Sequence, residues 1–148
     1  MNKCNHEGYR DPTACVAFTN IERNTRLARW ADTLRRVSGY RPLVYICSPY
    51  AGDMDRNTRS ARSYCRFATE QNRIPFAPHL LFPQFLNDVD EEQRALGVFM
   101  GCVLMTKCDE VWVFGDTFSE GMVMEIERAE KRGMTVRYFS SDCMEVGA

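Results

Sequence analysis

No apolar run in the sequence approaches the ~20 residues that a membrane-spanning helix needs. The opening residues, "MNKCNHEGYRDPT", lack the apolar segment of a secretory signal. Charge of one sign is missing too. Lys+Arg 19 against Asp+Glu 20 leave a net charge of −1, so bulk basicity gives no reason to expect a nucleic-acid polymer or a membrane surface as partner. There is a local basic stretch, "RNTRSARSYCR" at 56–66, but such a helix face is ordinarily solvated. Seven cysteines form an odd set without regular spacing and without a Cys-x2-Cys pair. A disulfide framework is therefore not expected, and the expected setting is a reducing cytoplasm. Cys4, His6 and Cys15 make no zinc knuckle by spacing, so no metal is expected. Internal repeats and low-complexity segments are absent. So are the GxGxxG fingerprint and the GxxxxGK[ST] loop, and no cofactor is expected.

At 148 residues with 45% hydrophobic and 26% charged composition, the chain suits one soluble domain with a single core. Residues 1–20 read as polar and irregular, with Gly8 and Pro12 as breakers. A helix is predicted over 20–39, where Ile21, Leu27, Trp30, Ala31 and Leu34 recur at helical spacing before Gly39. Residues 1–40 are taken as an N-terminal extension and 41–148 as the main α/β domain.

From residue 42 onward, apolar runs alternate with amphipathic stretches. "PLVYICSPY" (42–50) predicts a buried strand that runs into a loop. A helix over 55–71 should turn Ala61, Tyr64, Cys65 and Ala68 inward. "RIPFAP" (73–78) predicts a second strand, and 79–88 a loop with a turn of helix. A further helix is expected over 90–108, acidic at its start and with Lys107 near its end. "DEVWVFG" (109–115), a helix over 119–133 closed by Gly133, and "MTVRYF" (134–139) complete the series. Cys47, Cys102 and Cys108 read as small core residues, and Met122 and Met124 as helix core. Phe82, Phe85, Trp112 and Phe114 read as packing residues, and Asp109 as a strand cap. The economical fold is a Rossmann-like or flavodoxin-like domain, with four to five parallel strands and helices on both faces.

In such a sheet the loops after the strands gather along one edge, where ligands bind. Three segments should converge there. The first carries Ser48, Tyr50, Gly52 and Asp53, with Asn57 one turn into its helix. The second carries His79, and the third Asp116, Ser119, Gly121 and Glu125. Ser48, Gly52, Asp53 and Asn57 also suit turn and capping roles.

"VYICSPYAGD", "IPFAPH" and "CDEVWVFGDTFSEGMVMEI" resemble the nucleoside 2-deoxyribosyltransferase-like superfamily over about residues 42–140, most closely its short members from phages and bacterial mobile elements. The superfamily's string of Ser or Asp, any residue, Gly, three residues and Glu is met by Ser119, Gly121 and Glu125. The resemblance implies that Glu125, rather than Glu120, is a nucleophile in N-glycosidic bond cleavage or transfer, and that Tyr45 orients it. It also implies a nucleoside or nucleotide as small-molecule partner, with Ser119 beside the substrate and Gly121 at a close backbone approach, and a homo-oligomer. The chain departs from the pattern on the helix before the nucleophile. Relatives carry an aspartate there, and this chain has Gly101 amid "GVFMGCVLM". Asp116 and His79 are the loop residues available in its place. A module that binds a nucleotide-like ligand without cleaving it is the second reading.

Overall fold

The computed structural model describes residues 12–147, omitting the side chains of 12–15 and 18. Gly8, Cys4 and His6 lie outside the described residues, as does the side chain of Cys15. The chain forms two compact units, Met1–Tyr40 and Arg41–Ala148. In the first, α1 (Pro12–Val37) starts eight residues earlier than the predicted helix. Proline at the first helical position has its φ already set and loses no needed N–H, so it opens the helix rather than preceding it. The apolar side chains Ile21, Leu27, Trp30 and Leu34 are exposed on α1.

The second unit begins with β1 (Leu43–Cys47) and α2 (Met54–Glu70), then β2 (Ile74–Phe76) and the short α3 (Pro78–Leu81). A 3-10 turn at Phe82–Gln84 leads to α4 (Glu91–Met105). The chain finishes with β3 (Glu110–Phe114), α5 (Glu120–Lys131), β4 (Thr135–Phe139) and β5 (Glu145–Val146). The sheet order is β2-β1-β3-β4-β5. Four strands run parallel, in register from Val44 opposite Glu110 and Glu110 opposite Thr135. β5 was not expected from the sequence and pairs antiparallel to β4, which corrects the all-parallel sheet. Its two residues are too few to show a period of two, and only the turn at Ser140–Cys143 brings them back to β4.

Strand alternation divides the core in two. Val44, Ile46, Trp112 and Phe114 face α2, where they meet Tyr64 and Ala68. Tyr45, Cys47, Val111 and Val113 face the other way and pack with Met105, Met122, Ile126 and Ala129 of α4 and α5. The fold is thus α/β with helices on both faces of a mostly parallel five-stranded sheet. Cys47, Cys102 and Cys108 are buried, as expected. Met122 is buried, but Met124 is 59% exposed, because two positions along a helix turn the side chain through about 200°. Phe85 is likewise exposed, whereas Phe82, Trp112 and Phe114 are buried. Asp109 caps β1 rather than its own strand, its carboxylate accepting from Leu43 N at 2.7 Å.

The strand order reverses direction at β1. From β1 the chain steps outward to β2, then crosses back over β1 to reach β3 and continues to β4. The C-terminal ends of β1 and β3 therefore diverge into loops on opposite sides of one crevice.

Candidate active site

A cavity of about 340 Å³ opens at that crevice. Its size is near the lower end of small-molecule sites, enough for a ligand of nucleoside size. β1 contributes Tyr45, and the loop after it contributes Ser48, Tyr50 and Ala51. α3 and the segment following it bring Pro78, His79, Phe82 and Asp88. The start of α5 brings Ser119, Gly121, Met122 and Glu125. One face of α4 closes the wall with Gln93, Arg94, Gly97, Val98 and Gly101.

Each loop is shaped by local chemistry. After β1 the backbone turns at Gly52 with φ +93, a conformation that favours glycine. Asp53 caps α2 by accepting from Arg56 N at 3.1 Å. The Asn57 carboxamide donates to Tyr50 O and Ala51 O at 3.1 and 2.9 Å, which pins the loop to the helix. Gly52, Asp53 and Asn57 do not line the cavity themselves; their contacts set the course of the loop that does. Asp116 is exposed and also outside the lining, so of the two loop residues available in place of the acid that the resemblance implies only His79 lines the cavity. Beyond β3, Gly115 turns with φ +113 and Ser119 caps α5, its Oγ accepting from Met122 N at 3.3 Å. This cap starts the helix so that Gly121, Met122 and Glu125 fall on one face.

Two hydrogen-bonded pairs sit within the cavity. The Tyr45 hydroxyl donates to Glu125 Oε1 at 2.8 Å. Burial raises the Glu125 carboxyl above its ordinary pKa, while hydrogen bonds from Tyr45 and Cys47 pull it part of the way back. The Tyr45 hydroxyl is pushed well up by burial and by the adjacent Glu125 charge, so it keeps its proton and remains a donor. In the second pair, Ser48 Oγ and His79 Nε2 lie 3.0 Å apart. Burial lowers the His79 pKa to about 4, so its imidazole is neutral at pH 7. The Tyr50 ring lies 6.0 Å from the His79 ring.

Tyr45, Ser48, Tyr50, His79, Ser119, Gly121 and Glu125 are thus brought together from the positions named on sequence grounds. Only Gly101, as the position where the resemblance implies an acid, was anticipated of the α4 face. Its signal was present in Gly97 and Gly101, two glycines four apart inside a helix, where each costs about 1 kcal/mol relative to alanine. A Cβ at Gly101 would lie 3.2 Å from Tyr45 Oη and 3.4 Å from Pro78 Cβ, so the glycine lets α4 close over the tyrosine hydroxyl. Among the described residues, no group of three or more His, Cys, Asp or Glu side chains is arranged to hold a metal ion. No helix among them is long and apolar enough to cross a membrane.

Among solved structures, the 2-deoxyribosyltransferase from Bacillus psychrosaccharolyticus is similar, with a TM-score of 0.52 and 18% identity over 66% of this chain and 72% of that one. A 2-deoxyribosyltransferase from Leishmania mexicana is also similar, with a TM-score of 0.48 and 17% identity over 67% of this chain and 64% of that one. At 18% identity the first likeness concerns the fold alone. No curated protein matches the sequence. The model of a domain of unknown function, DUF7768, matches residues 42–139, which cover the whole sheet except β5 and every wall of the cavity, and the chain belongs to that family.

Proposed function

We propose that this protein acts on the N-glycosidic bond of a nucleoside or nucleotide, with Glu125 as nucleophile and Tyr45 as the residue that orients it. The Tyr45–Glu125 hydrogen bond inside the cavity carries this reading. With Oε1 accepting from Tyr45, the carboxylate still has lone pairs free for a reacting carbon. As the C1′–N bond breaks, positive charge builds on the sugar, and the carboxylate stabilises it before closing a glycosyl ester. Water then releases the sugar, or a second base accepts it. Ser48, His79, Ser119 and the backbone at Gly121 surround the space a sugar would occupy, and Tyr50 and Phe82 offer faces to a base. Gly52, Asp53 and Asn57 support the substrate loop from behind.

Incubating the protein with a panel of nucleosides and 5′-nucleotides and chromatographing for free base tests the reading. Base release by the native protein, lost in Glu125→Gln, is expected. No release across a broad panel would contradict it. Gly101, in place of the acid that the resemblance implies, favours a second reading in which the ligand is held uncleaved. Native mass spectrometry would then find an intact nucleotide-like ligand retained by the protein. We also infer a homo-oligomer, for which the exposed apolar side chains Phe99 and Val103 of α4 and Met124 of α5 are the supporting feature. Light scattering should give a multiple of the 17.1 kDa chain mass.

A further inference from the structure

We infer that the cavity takes nucleosides or nucleotides whose base is a cation, such as a pyridinium or an N-alkylated purine. The inference rests on the N-glycosidic reading above and adds the charge of the leaving group. A neutral purine or pyrimidine leaves its sugar as an anion and needs a proton from a general acid, a contribution of about 10²–10⁴-fold. None of the three positions considered for that acid, Gly101, His79 and Asp116, places a protonated group in the cavity. The Tyr45 proton is committed to Glu125, and the His79 ring is joined to Ser48 and uncharged at neutral pH. On α4 the residue against Tyr45 Oη is Gly101, where even a Cβ would lie at 3.2 Å.

What the cavity has in quantity suits a cation. Its lining includes three carboxyl groups, those of Asp88, Glu120 and Glu125, against the single guanidinium of Arg94. Tyr50 and Phe82 add aromatic rings to the lining, and such rings attract cations through their quadrupole. With a cationic base the step balances without an acid. The C1′–N bond breaks and its electron pair passes to the ring nitrogen, which discharges the cation and frees a neutral base. C1′ bonds to a Glu125 carboxylate oxygen. Water then adds hydroxide to C1′, releases the carboxylate and gives one proton to the solvent.

The test compares nicotinamide riboside and 7-methylguanosine with uridine and guanosine on the full chain. The cationic pair should lose base at least about 100-fold faster. For nicotinamide riboside, whose pyridinium does not titrate, kcat/KM should also stay level on the alkaline side of neutrality, because no acid has to keep its proton. Equal or faster cleavage of the neutral pair would overturn the inference and leave the N-glycosidic reading standing. If nothing is cleaved, calorimetry on the native protein decides, using nicotinamide riboside against its neutral dihydro form. Binding of the cation about tenfold tighter supports the inference, being what one desolvated cation–π contact can supply. Equal or weaker binding overturns it. Absence of both cleavage and binding for every nucleoside removes the N-glycosidic reading as well.

Discussion

The Tyr45 hydroxyl, at the core of β1, donates to the carboxylate of Glu125, 80 residues further along the chain on α5. This bond crosses the crevice where the sheet order reverses, so the fold itself holds the two groups together. A hydrogen bond to a charged group contributes about 1.5–3 kcal/mol. Tyr45→Phe should lower kcat/KM by about 10- to 100-fold on that basis. It also removes a donor that lowers the Glu125 pKa, so the acid limb of the pH–rate profile should move to higher pH. Steady-state kinetics across pH would check both effects.

Glu125 should cost stability at neutral pH. Its carboxyl binds a proton more tightly in the folded protein than in the unfolded chain, chiefly through burial. Folding is therefore opposed increasingly as pH rises above the unfolded carboxyl pKa of about 4.3. Glu125→Gln should raise Tm at pH 7, and the gain should shrink as pH falls toward 4. Thermal melts of both proteins across that range measure the effect.

His79 has the opposite dependence. Its pKa falls from 6.5 to about 4 on burial, so its neutral form is stabilising above 6.5 and that contribution is lost as pH drops toward 4. A glutamine at this position can still hydrogen-bond Ser48 but does not titrate. His79→Gln should flatten the loss of stability over that interval, as read by denaturant titrations at successive pH values.

Gly101→Ala places a methyl group 3.2 Å from Tyr45 Oη. Overpacking of this kind costs about 1–3 kcal/mol. Tyr45→Phe deletes the oxygen that the methyl would meet, so the double variant should be more stable than the sum of the two single changes predicts. Chemical denaturation of the four proteins in the cycle gives the coupling, and strict additivity would place the strain elsewhere.

The parts of the fold that follow from local chemistry were legible in the sequence. "LVYIC" and "EVWVF" announced central strands because every side chain in them is buried or nearly so. Ser119 announced α5 because its hydroxyl caps the helix. Six of the seven cavity residues named in advance come from the three strand-to-helix crossings that a parallel sheet must gather at one edge, and Tyr45, inside β1, was named by the resemblance. Two-residue β5 carries no periodicity, and α1 runs through residues whose composition looks irregular. Apart from Gly101, which the resemblance singled out, the α4 wall was missed because periodicity marks the residues a helix buries, whereas Gly97 and Gly101 matter for the space they leave empty.

Trapping the intermediate on Glu125 tests the account most directly. A nucleoside carrying fluorine at C2′ slows release of the glycosyl ester by destabilising positive charge on the sugar. After incubation, peptide mass mapping should find the fluorinated sugar on the peptide containing Glu125, and Glu125→Gln should carry none. Base release without any such adduct, or an adduct on another side chain, would contradict the nucleophilic role assigned to Glu125.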